Sequence, residues 1–265
     1  MMRKLAFINE KGGTGKTTLA VNVAAYLAEQ KNLKVLLVDL DTQGHAAKTL
    51  GVDVRSVRPN MYHWLTDDAV TLEQVSHRTS VPNLVTVPSY KEMSEFPITV
   101  AADPERVFRL AHRFARDAQG YDLIVLDGPP SMGLTTFNIL AAATEVIIPV
   151  ALTYLALDGC AEVAQTVERV AREHARPDLH VSRVVPTLYR KTALAGEILA
   201  SLNRYFEGRV TEPLGINVKI DEAQSHGKTI FEYAPKSRGA AMIGAIAEDI
   251  FRAGPALRRV KDAVA

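Results

Sequence analysis

The sequence contains one run whose residue types and spacing suit phosphate binding: Glu10-Lys11-Gly12-Gly13-Thr14-Gly15-Lys16-Thr17-Thr18. A short apolar segment precedes this run, and a helical pattern over 19–30 follows it. In a strand, glycine turn and helix of this kind, backbone N–H groups and the helix N-terminus surround an anion. Lys16 is expected to reach the β- and γ-phosphates, and the Thr17 hydroxyl to bind Mg²⁺. The pattern G-x-x-x-x-G-K-[ST] fails only at its first glycine, where the chain has Glu10.

Acidic residues stand at the ends of two other apolar runs. Asp39 and Asp41 come at the end of one run, and Asp127 ends another. Ligands of open α/β sheets bind outside the carboxyl ends of the strands. Mg²⁺ prefers carboxylates, hydroxyls and its own waters. We therefore expect Asp127 to bind Mg²⁺ through water, and Asp39 to be a weak metal ligand.

Apolar runs that alternate with amphipathic helical stretches must position these residues. This alternation is typical of a parallel sheet with helices on its faces. Most runs are apolar throughout, as strands buried on both faces should be. The predicted strands are 5–9, 35–40, 84–87, 123–127, 146–150 and 181–187. Helices are predicted from 104 to 118, with Asp103 as N-cap and Pro104 at the first helical position, from 158 onward, and around 240–251.

The organisation of the chain favours one domain. Residues 51–80 are the least periodic and are expected to form loops and short helices, and no linker or internal repeat divides the chain. The fold class predicted is α/β. Residues 1–265 are expected to form a single P-loop NTPase domain, with a mostly parallel twisted sheet flanked by helices on both faces.

Composition excludes several other classes of protein. The 265 residues include 31 Lys and Arg against 30 Asp and Glu, so any nucleic-acid contact must be a local patch. The single cysteine, Cys160, excludes a disulfide framework, a multi-cysteine zinc site and an iron–sulfur cluster held by this chain alone. No stretch approaches 18 apolar residues, so no membrane-spanning helix is predicted. A reducing cytoplasm is the expected location.

Four separate blocks of the chain resemble the ParA/MinD family of deviant Walker A P-loop ATPases. They are Lys11-Gly-Gly-Thr-Gly-Lys-Thr-Thr, Asp39-Leu-Asp41-Thr-Gln43-Gly44, Asp127-Gly-Pro-Pro-Ser131 and the stretch 222–240. Their order and their spread over nearly the whole chain resemble the ParA-type, Soj-like partition branch. The resemblance implies an ATP- and Mg²⁺-dependent ATPase that is slow without a partner.

The resemblance also assigns roles to single residues. Lys11 is expected to cross into the partner subunit of an ATP-sandwich homodimer and touch the nucleotide phosphates there, while Asp41 lies near the attacking water. The implied catalytic residues are thus Lys11, Lys16 and Asp41, because a second cation stabilises charge that develops during phosphoryl transfer. The implied nucleotide-binding residues are Lys11, Gly12, Gly13, Thr14, Gly15, Lys16, Thr17 and Thr18.

Two lysines match positions where the family carries basic residues for non-specific DNA binding, Lys191 and Lys219. Six Lys and Arg against three Glu between 183 and 219 give this segment a net charge of +3, for which a solvated basic surface is the alternative explanation. The resemblance implies an ATP dimer that binds DNA non-specifically and segregates a chromosome, plasmid or other cargo. It further implies a stimulating adaptor of ParB type, a nucleoid-associated location in the cytoplasm and no stable membrane association.

Two alternatives stay open. A MinD-like division-site ATPase needs a C-terminal amphipathic helix for the membrane, whereas the tail 251–265 is interrupted by Gly254 and Pro255 and has few bulky apolar residues. A metabolic P-loop ligase shares the phosphate loop, but Lys11 and the block 222–240 argue against it.

Overall fold

A computed structural model of the chain describes residues 2–153 and 156–255. Within these residues, the strands are β1 (Arg3–Phe7), β2 (Val35–Asp39), β3 (His77–Arg78), β4 (Leu84–Val87), β5 (Leu123–Asp127), β6 (Glu145–Ala151) and β7 (His180–Thr187). They form one sheet in the order β3-β4-β2-β5-β1-β6-β7. Neighbouring strands are parallel except β3, which is antiparallel to β4.

Helices connect most of the strands and cover the sheet. The helices of the described residues are α1 (Lys16–Gln30), α2 (His45–Thr49), α3 (Met61–Thr66), α4 (Leu72–Val75), α5 (Phe96–Thr99), α6 (Arg109–Asp117), α7 (Leu134–Ala142), α8 (Ala156–Glu173), α9 (Ala193–Tyr205), α10 (Val218–Ser225), α11 (Ile230–Tyr233) and α12 (Arg238–Ala253). A 3₁₀ helix at Lys91–Glu95 precedes α5.

The sheet has an apolar core on each face, and strand β1 shows how one segment serves both. Leu5 and Phe7 are buried among residues of α1 and α12. Ala6 lies in the other core, with residues of α6, α7 and α8. Successive side chains of a strand point to opposite faces, so a stretch of strand that is covered on both sides is apolar at nearly every position. This arrangement confirms the predicted fold class.

The predicted strands agree with the structure to within two residues at each end. Strand β6 extends one residue further than predicted, to Glu145, whose carboxylate is buried against the guanidinium of Arg3 at 2.6 Å. Short helices and loops occupy 51–80 as expected, but the two-residue edge strand β3 was not predicted.

The prediction of a helix from Pro104 is wrong, because α6 begins at Arg109. The chain between 103 and 108 makes turns instead: the N–H of Arg106 donates to the Asp103 carbonyl at 3.2 Å, and that of Phe108 to the Glu105 carbonyl at 2.8 Å. The Asp103 carboxylate accepts from the N–H of Glu105 and pairs with Arg109. The expected capping residue therefore stabilises a turn ahead of the helix.

Among the described residues, no helix combines the length and the apolar character needed to cross a lipid bilayer. The tail on which the membrane-helix alternative depends, 251–265, lies outside the described residues beyond Pro255.

Candidate active site

Three neighbouring strands bring the predicted site residues to one edge of the sheet. Strand β5 lies between β1 and β2, and Asp127 is in register with Phe7 on one side and Asp39 on the other. Because parallel strands end at the same edge, the loop after β1 meets both acidic strand ends there. The structure thus places Lys16, Asp39 and Asp127 together, as the sequence predicts.

The glycine-rich loop turns the chain from β1 into α1. Gly13 and Gly15 have φ angles of 71° and 83°, a left-handed conformation that favours glycine. Gly15 is the N-cap and has no side chain to cap the helix, whose first N–H groups lack partners within the helix. These N–H groups and the positive end of the helix dipole form an anion site. The predicted helix at 19–30 in fact begins at Lys16, so Lys16, Thr17 and Thr18 form its first turn.

Hydrogen bonds fasten the loop to the end of the sheet. The Lys11 N–H donates to the side chain of Asn9 at 3.0 Å, and Asn9 donates to the Pro149 carbonyl at 2.7 Å. The Thr187 hydroxyl donates to the Thr14 carbonyl at 2.9 Å. The loop is therefore held by strands β6 and β7 in addition to its own strand.

The Lys16 ammonium is held over the loop. Its Nζ donates to the Lys11 carbonyl at 2.9 Å, and only 7% of the residue is exposed. Burial lowers the pKa of Lys16, while the carboxylates of Asp127 and Asp41 raise it. The cation is thus positioned between the loop and two carboxylates at the edge where phosphates are expected.

The side chain of Lys11 lies beside helix α8. A Cβ placed on Gly159 would stand 3.5 Å from the Lys11 Cε and 3.8 Å from its Nζ. These are ordinary van der Waals distances, so the end of the Lys11 side chain lies close to Gly159. Lys11 therefore occupies a different position from Lys16, although both belong to one loop.

Asp127 has the properties of a metal ligand. It is fully buried, and no donor among the described residues makes a regular hydrogen bond to either carboxylate oxygen. Burial raises the pKa of Asp127 to about 7, against the lowering effects of the Thr17 hydroxyl and the Lys16 ammonium. Buried polar groups are normally satisfied, and oxygen donors of this type fit Mg²⁺. Thr17 and Asp127 are therefore suited to a magnesium site.

Asp39 is engaged with the backbone of its own loop. Its carboxylate accepts hydrogen bonds from the N–H groups of Asp41 and Ala46, both at 3.0 Å. Burial and the nearby Asp127 raise the pKa of Asp39 well above its usual range. Asp41, which accepts from the Gln43 N–H at 3.0 Å, lies further out in the same loop. Asp39 thus shapes the loop that carries Asp41, and its role as a weak metal ligand stays a prediction.

An open cavity of about 710 Å³ extends from the phosphate loop. Its walls come from the loop, from the segment after β2 and from α10. The lining residues are Gly12, Gly13, Thr14, Gly15, Lys16, Thr17, Thr18, Asp41, Gln43, His45, Lys48, Thr49, Pro130, Asp221, Gln224 and Ser225. Sequence reasoning did not single out His45, Lys48, Asp221 or Gln224 for this site. For Gln224 the only signal was the resemblance of the block 222–240 to the family, which assigned no role within it.

The two lysines expected to bind DNA lie on a different surface. Both are exposed, Lys191 just before the N-cap of α9 and Lys219 in the first turn of α10. A β-bridge between Tyr189 and Gly215 joins the two segments that carry them. We call the segments 188–192 and 215–219 together the lysine surface. The Lys219 ammonium pairs with the Glu222 carboxylate at 2.7 Å on this surface.

The fold and the site together define a P-loop nucleoside triphosphatase. A family model described as an AAA domain matches residues 2–181. The sporulation initiation inhibitor protein Soj of Bacillus subtilis is 36% identical over 252 residues, 94% of this chain and 98% of that protein. The chromosome-partitioning ATPase Soj of Thermus thermophilus is 39% identical over 251 residues, 94% of this chain and 95% of that protein. A cobyrinic acid a,c-diamide synthase of Mycobacterium smegmatis, solved with an ATP analogue and magnesium, is 28% identical with a TM-score of 0.82, and 95% of each chain is covered.

The chain belongs to the Soj/ParA family of P-loop ATPases. The predicted family, the ATPase activity and the use of ATP and Mg²⁺ are confirmed by these similarities. The roles of individual site residues, the dimer and DNA binding stay predictions.

Proposed function

We propose that the chain is a dimerising ATPase that binds DNA non-specifically in its ATP state and segregates a chromosome, plasmid or other cellular cargo. One observation carries the proposal: Lys16, Thr17, Asp41 and Asp127 meet at one sheet edge in a chain similar to Soj proteins over 94% of its length. An adaptor of ParB type, or one specific for another cargo, stimulates hydrolysis. The protein acts on the nucleoid in the cytoplasm, without stable membrane association, and residues 1–265 work as one domain.

The phosphate loop binds the nucleotide through backbone and cation together. The N–H groups of the first turn of α1 surround the phosphates, and Lys16 neutralises the β- and γ-oxygens. Thr17 would hold Mg²⁺ directly and Asp127 would hold it through water; the Asp127 carboxylate is buried and has no hydrogen-bond partner among the described residues. When bound, Mg²⁺ neutralises charge on the phosphate oxygens and orients them.

Two residues at the rim perform the remaining chemistry. Asp41 lines the cavity next to the loop and positions the water that attacks the γ-phosphate. Lys11 leaves its place beside Gly159 and contacts the phosphates of the partner subunit, where a further cation stabilises developing charge. Because Lys11 then joins two subunits, dimerisation depends on the bound nucleotide.

DNA binds to the lysine surface of the ATP dimer. Lys191 and Lys219 are exposed there and contact phosphates, which positions the protein on the backbone without reading bases. Neither lysine lines the nucleotide cavity, so DNA binding and phosphate binding use separate groups of one chain.

A metabolic P-loop ligase is the second candidate. The M. smegmatis synthase supports it, at 28% identity over 95% of the chain. The partition relatives are more similar, at 36% and 39% identity over almost the same length. Partition is therefore the favoured function.

The test is DNA binding with ATP, with ADP and without nucleotide, on random and defined DNA, together with light scattering. We expect binding and dimerisation only with ATP, and equal affinity for both DNAs. DNA binding that does not depend on the nucleotide would contradict the proposal, and so would the absence of DNA binding under all three conditions. A phosphorylated metabolite product would favour the ligase, and co-sedimentation with liposomes would favour the MinD-like alternative.

A further inference from the structure

Helix α10 reaches the phosphate loop through one side chain. The amide Nε2 of Gln224 donates a hydrogen bond to the Thr18 hydroxyl oxygen at 2.6 Å. Thr18 is the third residue of α1, and both residues line the nucleotide cavity. They are 206 residues apart in sequence, so only the fold brings them together.

A second contact fixes the same part of the chain to α1. The side-chain carbonyl of Asn22, a residue that is 1% exposed, accepts from the Ile230 N–H at 2.8 Å, and its amide donates to the Thr18 carbonyl at 2.8 Å. The segment that follows α10 is thus attached one turn further along α1. This attachment keeps Gln224 in reach of Thr18.

The direction of the bond between Gln224 and Thr18 decides what the hydroxyl can do. An amide nitrogen can only donate hydrogen bonds, whereas a hydroxyl can donate one and accept two. Since Gln224 occupies a lone pair of Thr18, the hydroxyl proton is directed elsewhere. The Thr18 hydroxyl can therefore donate this proton to an acceptor in the cavity, beside the N–H groups of the first turn of α1.

We propose that Gln224 is a positioning residue for nucleotide binding, which orients the Thr18 hydroxyl as a donor to a phosphate oxygen. The inference rests on the proposed nucleotide binding by the phosphate loop, of which Thr18 is an expected binding residue. A carboxylate in place of the amide would instead accept the Thr18 proton and withdraw it from the nucleotide. A hydrogen bond to a charged acceptor is stronger than one between neutral groups, so the orientation of this single proton affects affinity measurably.

The experiment is a double-mutant cycle on the full chain, with the affinity for fluorescently labelled ADP–Mg²⁺ as the readout. We expect Gln224→Met, which keeps the length of the side chain, to weaken binding by about tenfold, and Thr18→Val to weaken it by a similar factor. Combining the two should cost no more than Thr18→Val alone, because Gln224 acts only through Thr18. Gln119→Met, on an exposed glutamine that donates to Ala115, is the matched control and should bind as the wild type does.

Two further variants test the direction of the bond. Gln224→Glu should bind more weakly than Gln224→Met, and more weakly than Ser225→Glu, which adds the same charge to the same cavity. Additive losses in the cycle, or unchanged binding by Gln224→Met at an unchanged melting temperature, would overturn the inference. Unchanged binding by Thr18→Val would instead refute the phosphate role of Thr18 on which the inference rests.

Discussion

The lysine surface allows the proposed DNA binding to be tested quantitatively. Lys191 is exposed and precedes Thr192, the N-cap of α9. Lys219 is exposed too, but Glu222 lies 2.7 Å from its ammonium and raises its pKa. The two lysines therefore start from different electrostatic states, and their removal should have different effects.

The magnitude follows from the release of counterions. The logarithm of DNA affinity falls with the logarithm of salt concentration by about 0.9 for each phosphate neutralised. A dimer carries two copies of each lysine, so Lys191→Ala should flatten this slope by about 1.8. Between about 50 and 200 mM salt, the variant should lose about twelvefold less affinity than the wild type does. Lys219→Ala should flatten the slope by less, because Glu222 competes with phosphate for that ammonium.

The assay is fluorescence anisotropy of labelled DNA with ATP over a series of salt concentrations. Lys91→Ala, at an exposed lysine beyond strand β4 at the opposite end of the sheet, is the matched control and should leave the slope unchanged. Both lysine variants should still dimerise and hydrolyse ATP without DNA. An unchanged slope in the Lys191→Ala/Lys219→Ala double variant would assign both residues to a solvated basic surface. A larger effect from Lys219 than from Lys191 would refute the argument from the Glu222 ion pair.

Four further predictions concern the nucleotide site. Lys16→Ala should abolish ATP binding or turnover because it removes the cation at the β- and γ-phosphates, and undiminished phosphate release would refute the assignment of the loop. Asp41→Ala should bind ATP but hydrolyse it far more slowly, and light scattering should show an ATP-bound dimer; monomers alone, where the wild type dimerises, would contradict its role. Lys11→Ala should bind ATP as a monomer with impaired dimerisation and hydrolysis, and normal dimerisation would exclude the contact across subunits. Because burial raises the pKa of Asp127 from 3.8 to about 7, the folded chain keeps a proton that the unfolded chain loses, and stability without Mg²⁺ falls as pH rises across this interval. Asp127→Asn should therefore raise the melting temperature relative to the wild type more at pH 8 than at pH 5, and equal shifts at both would refute this reasoning.

The parts of the fold that were predictable are those with a local cause. Strands β4 and β5 agree with the predicted bounds because runs buried on both faces are almost continuously apolar, apart from Thr86 in β4 and Asp127 at the end of β5. The predicted strand 146–150 does not include Glu145; the Arg3 side chain that pairs with it in the sheet is 142 residues away, so the local sequence does not indicate the pair. Asp103 and Pro104 are signals for a helix start, but the pair that Asp103 forms with Arg109 favours turns there.

The site residues also divide into those that the local sequence indicates and those that depend on distant parts of the chain. A short motif indicates the loop 10–18, and the ends of apolar runs indicate Asp41 and Asp127, so the positions of these residues could be predicted. Gln224 could not, since nothing near it in sequence indicates that it donates to Thr18. The pairing of Lys219 with Glu222 lies within one helix turn, but sequence spacing alone does not show which exposed charges meet.

Helix α10 carries Gln224 near one end and Lys219 near the other. Five residues of α-helix span about 7.5 Å, so the side chain that contacts Thr18 and the lysine proposed to contact DNA belong to one short helix. Any displacement of α10 that accompanies nucleotide binding would move Lys219, the lysine proposed to bind DNA, with it. Linkage makes this coupling reciprocal. If ATP raises the affinity for DNA by some factor through this helix, DNA raises the affinity for ATP by the same factor. A nucleoid would thus act as an allosteric effector that retains the nucleotide, and release from DNA would lower the affinity for ATP.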